Sequence, residues 1–123
     1  MLSKRIWCIL TIFMTVFILV LSLLPDPPEI PGGFQFSDKI AHFVAYAILS
    51  FLLIISFFGG KKISTVVIVA ALCLVYGGLI EILQVCTHRQ PEILDLAADF
   101  IGALSGAALG AGLSRRIRFK IHS

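Results

Sequence analysis

Three short stretches carry the side chains that could do chemistry. In SDKIAHFVAYAI (37–48), Asp38, His42 and Tyr46 recur at i, i+4 and i+8, which stacks them along one face of a helix, with Lys39 alongside. In YGGLIEILQVCTHR (76–89), Glu81 and Gln84 stand at i and i+3, His88 continues that face at i+7, and Arg89 follows. In LDLAADFIG (94–102), Asp95 and Asp99 stand one turn apart. Brought together, these groups suit acid–base work on a phosphate or pyrophosphate. His42 would serve as general base or nucleophile, Asp95 or Asp99 would orient it, and Glu81 would protonate a leaving group. Lys39 and Arg89 would hold anionic oxygens by charge-assisted bonds. Tyr46 and Gln84 would donate hydrogen bonds to developing charge, and Asp38 completes the binding set.

Each residue also has a plainer use. Asp38, Lys39 and Arg89 suit anchoring at a membrane interface equally well. Gln84 could tie helix ends together, Tyr76 reads as core packing, and His88 falls in a loop where no role is expected. The charge count adds weight to the cluster. Asp38, Glu81, Asp95 and Asp99 face only Lys39, Arg89 and a protonated His42. Crowded carboxylates either share a proton or recruit a divalent cation. Oxygen donors would suit Mg²⁺ or Ca²⁺, and with histidine also Mn²⁺ or Zn²⁺, although no ligand spacing of high specificity is present.

The elements that must position these groups are plain from composition. Apolar residues make up 59% of the 123 residues and charged ones 14%, with a mean hydropathy of +1.02. A soluble domain of this length would need far more polar surface. Four apolar runs, Ile6–Leu24, Ile40–Phe58, Ile63–Leu83 and Ile93–Leu113, are each close to the ~20 residues that a helix needs to cross the hydrocarbon core. None alternates as a barrel strand would, and helices satisfy their own backbone in lipid. The expected fold is an all-α bundle of four transmembrane helices forming one domain over residues 1–123. A cleaved signal peptide is the alternative for the first run. Against it stand a run longer than a signal core of about 7–15 residues and the lack of an A-x-A-like site.

Basic residues set the expected orientation. Lys4, Arg5, Lys61, Lys62, Arg115, Arg116, Arg118 and Lys120 fall on one side of a four-span layout, and Lys39 and Arg89 on the other. The positive-inside rule then puts both termini in the cytoplasm. All seven acids, Asp26, Glu29, Asp38, Glu81, Glu92, Asp95 and Asp99, fall in the outer half. The basic tail reads as a membrane-surface patch and not as a nucleic-acid site. Three cysteines, Cys8 and Cys73 within spans and Cys86 just past the third, argue against a disulfide framework.

Between the spans, PDPPEIPGGFQFSDK reads as a stiff strap over the outer face, with Phe34 and Phe36 dipping inward. Ser37 suits the N-cap of the second helix and Pro91 a first helical position of the fourth. The short connection FFGGKK predicts an antiparallel hairpin of the second and third helices. Gly102, Gly106 and Gly110, flanked by Ala103, Ala107 and Ala111, form a small-residue stripe that lets another backbone approach closely. Asp95 and Asp99 share that stripe's face, so they should point into the bundle.

Taken together, DKIAHFVAYAIL, YGGLIEILQ, Arg89 with Asp95 six residues on, and DLAADFIG resemble the VanZ-like family of teicoplanin-resistance proteins. The resemblance runs from Asp38 to Gly102 and takes in Asp38, Lys39, His42, Tyr46, Glu81, Gln84, Arg89, Asp95 and Gly102. It departs at Asp99, where that family usually carries Asn. It implies a bacterial cytoplasmic-membrane protein linked to glycopeptide tolerance, and a similarity to membrane enzymes that act on lipid headgroups. Three uses of the cluster stay open: an enzyme acting on a lipid or lipid-linked cell-wall precursor, a non-catalytic binder of such a headgroup, or a lock on helix packing or a homo-oligomer. Transport fits poorly, since four spans leave little room for a pathway and the inner half lacks ionisable residues.

Overall fold

The structure, a computed structural model, describes residues 3–23, 37–58, 62–86 and 93–122. The strap with Phe34 and Phe36, and the second loop with His88, Arg89 and Pro91, lie outside those residues, as do the side chains of Ser37 and Asp38. Helix α1 spans Lys4–Leu23 and α2 Ser37–Leu53, continuing as a π-helical turn over Ile54–Phe58. Helix α3 spans Ile63–Cys86 and α4 Ile93–His122. All four segments are long and apolar enough to cross a membrane. Large apolar side chains, among them Phe13, Phe17, Val67, Leu79 and Leu109, face outward. An aqueous surface would not tolerate so much apolar area, whereas lipid tails match it.

Two boundaries differ from expectation. Cys86, expected just past the third span, is the last residue of α3. Helix α4 runs to His122 instead of stopping near Leu113. Hydropathy marks where lipid would end, but SRRIRFKIH contains no Gly or Pro to end a helix, and Arg and Lys are good helix formers.

The tightest packing is between α2 and α4, while α2 and α3, joined by the short connection, touch less extensively. The cause is the small-residue stripe. A methyl added at Gly102 would strike the backbone of Phe43, and one at Gly106 the backbone of Ala47 and Ser50 Oγ. At Gly110 it would come within 3.1 Å of Ile54 Cβ. The contacts advance together along both chains, so α2 and α4 run parallel and begin at the same end of the bundle. Ala103, Ala107 and Ala111 are buried beside them. Helix α3 offers branched side chains along much of its length and cannot approach α2 as closely.

Helix α1 joins the bundle through polar ties at three depths. Thr11 Oγ1 lies 2.9 Å from Ser56 Oγ on the π-helical turn. Tyr76 Oη donates to the Thr15 carbonyl, and Gln84 Nε2 donates to the Ser22 carbonyl at 2.9 Å. Apolar burial gives little drive between helices in lipid, so such bonds matter more to α1 than its sparse buried face.

Candidate functional site

The end of the bundle where α2 and α4 begin carries the polar cluster. Because Gly102 presses α4 against Phe43, the turns just before this contact also face each other, with His42 opposite Asp95 and Asp99. His42 Nδ1 lies 2.7 Å from Asp99 Oδ1. An ionised carboxylate can only accept, so Nδ1 carries the hydrogen and donates it. His42 Nε2 stands 3.7 Å from Asp95 Oδ2, beyond hydrogen-bond length. The ring is therefore held through one nitrogen, and the other makes no hydrogen bond.

Lys39 Nζ lies 2.8 Å from Asp95 Oδ1, with both side chains largely withdrawn from solvent. At that distance the contact is a charge-assisted ion pair. Asp99 is 1% exposed and Asp95 7%, burial that a lone carboxylate would not tolerate. Their charges are answered by Lys39 and by the His42 N–H. Among the described residues, no three of His, Cys, Asp and Glu converge in metal-ligating geometry.

Tyr46, one turn below His42, stacks on its ring with centroids 6.5 Å apart and planes at 4°. Its other neighbour is Tyr76, at 6.2 Å. Beneath the cluster, the buried Tyr46 supports the imidazole and the partly buried Tyr76 backs Tyr46. Tyr76, read from sequence as plain packing, also binds the α1 backbone. Glu81 stands on α3 one turn before Gln84, toward the same end of the bundle.

Lys39, His42, Tyr46, Asp95 and Asp99 thus meet in one place, with Glu81 beside them. Gln84, on the same end of α3, is buried and turned toward α1. Gly102, Gly106 and Gly110 act as the close-packing stripe. The Asp38 side chain and Arg89 lie outside the described residues. Sequence reasoning missed Gly77, whose Cα lies under Asp99 and the Tyr46 hydroxyl. The pair Gly77-Gly78 offers no one-dimensional signal of which glycine borders a site.

No family model, curated protein or solved structure matches this chain.

Proposed function

We propose that the chain is a VanZ-like protein of the bacterial cytoplasmic membrane, with both termini inside, whose polar site acts on the phosphate-bearing headgroup of a lipid or lipid-linked cell-wall precursor. On this reading it contributes to glycopeptide tolerance by changing such a headgroup at the outer leaflet. One observation carries the proposal: His42 is held through Nδ1 on a buried carboxylate while Nε2 makes no hydrogen bond. That arrangement orients an imidazole for proton transfer or nucleophilic attack. Nε2 takes the proton of a water or hydroxyl as its oxygen bonds to phosphorus, and Glu81 gives a proton to the oxygen that leaves. Asp99 orients the ring, and Asp95 holds Lys39 where an entering phosphate can share it. Arg89 supplies a second cation.

The test compares membrane lipids and lipid-linked precursors by mass spectrometry in cells carrying the natural protein or His42→Ala. A headgroup product made by the natural protein and lost in a variant that still inserts supports the proposal. Identical profiles would sink it. The Lys39–Asp95 pair favours a second reading, in which the cluster only locks α2 to α4. In that case His42→Ala lowers the unfolding temperature in detergent and changes no lipid.

A further inference from the structure

Gly77 of α3 borders the site in a way its neighbour does not. A methyl built on its Cα would stand 2.8 Å from Asp99 Oδ2 and 3.4 Å from Tyr46 Oη and Leu96 Cδ1. The first distance is shorter than a methyl carbon and a carboxylate oxygen can pack. At Gly78 the same methyl would meet nothing within 4 Å. The oxygen for which Gly77 leaves room belongs to the carboxylate whose Oδ1 accepts the His42 N–H.

We propose that Gly77 is a positioning residue for the His42–Asp99 pair, its bare Cα forming the seat in which the Asp99 carboxylate lies. The strain of an added methyl has few outlets. Helix α4 cannot retreat toward α2, because Gly102 and Gly106 already touch the α2 backbone. Helix α3 cannot easily withdraw, because Ala70, Cys73 and Ile80 on the same face are buried in the core. The carboxylate can turn about its own side-chain bonds without moving either helix. Turning carries Oδ1 away from His42 and releases the ring. Gly77 therefore acts on the imidazole through Asp99 and need touch no substrate. Its bearing on catalysis rests on the proposed headgroup chemistry, whereas its geometry does not.

Proton–nitrogen NMR of the full-length protein in nanodiscs, labelled with ¹⁵N-histidine and containing no substrate, separates the two. The His42 signal is assigned by its loss in His42→Gln. The natural protein should show a downfield Nδ1–H proton for His42, absent in Asp99→Ala, lost in Gly77→Ala and kept in Gly78→Ala. Unfolding midpoints supply a second measure: Gly77→Ala should lower the midpoint in the natural background and not in Asp99→Ala, where the methyl has space. If Gly77→Ala alone does not fold, the double variant decides, since a folded double supports the seat and an unfolded one overturns it. An intact resonance in Gly77→Ala, or an equal midpoint loss in both backgrounds, overturns it too. A lipid profile unaffected by His42→Ala would remove the headgroup chemistry and leave this result standing.

Discussion

At the scale of single residues, the site is a problem in charge placement. Two carboxylates sit on one face of α4 near its start, almost fully buried, and each has a different answer on α2. Asp99 pairs with an imidazole, and Asp95 with an ammonium. The difference predicts different responses to mutation. Removing one partner of a buried pair leaves the other charge uncompensated, at about 3–5 kcal/mol when burial is complete and less where some exposure remains. Lys39→Met should therefore destabilise the protein clearly, and adding Asp95→Leu should restore most of the loss. Chemical unfolding in detergent measures this; equal instability of single and double variants would contradict the pairing. His42, Asp95 and Asp99 could be suspected from sequence because polar groups of three helices fall at one end of the bundle, and the two acids share the face of the small-residue stripe. That Asp99, not Asp95, takes the histidine could not. The two lie one turn apart on one face, and only the height at which α2 meets α4 decides between them.

At the scale of elements, the small-residue stripe sets the whole arrangement. Its existence was legible, because Gly102, Gly106 and Gly110 recur every fourth residue in an apolar run. Its partner was not, since periodicity shows which face will be approached and not by what. The short connection makes α3 a neighbour of α2, yet the parallel helix α4 packs against α2 most tightly because its glycines let the two backbones touch. A methyl at Gly106 must push α2 and α4 apart, as it meets the Ala47 backbone as well as Ser50 Oγ. Overpacking of this kind costs about 1–3 kcal/mol, so Gly106→Ala should lower the unfolding midpoint. Gly112→Ala, with nothing within 4 Å, should leave it unchanged or slightly raised. The ties of α1 form a second level. Tyr76→Phe removes one bond to Thr15 and should cost about 0.6–2 kcal/mol, the range found for hydrogen bonds between helices in membranes.

At the scale of the whole molecule, the two ends differ in kind. One end gathers Glu81, Asp95 and Asp99, and its described cation, Lys39, is already engaged with a carboxylate. The other end holds Lys4, Arg5 and Lys62, and α4 carries the basic tail onward past the apolar span in the same direction. A bilayer that retains positive charge on its cytoplasmic side would orient such a body one way, with the cluster outermost. The cysteines provide a direct measure of this. Cys86 is exposed at the cluster's end of α3, whereas Cys73 is buried and Cys8 partly so. In a background with Cys8 and Cys73 changed to serine, a membrane-impermeant thiol reagent should label Cys86 in intact cells. With Cys86 also changed to serine, Lys62→Cys should react only after the cells are opened. The reverse pattern would place the histidine and its carboxylates in the cytoplasm, where an outer-leaflet headgroup could not reach them, and the proposed function would fall with the orientation.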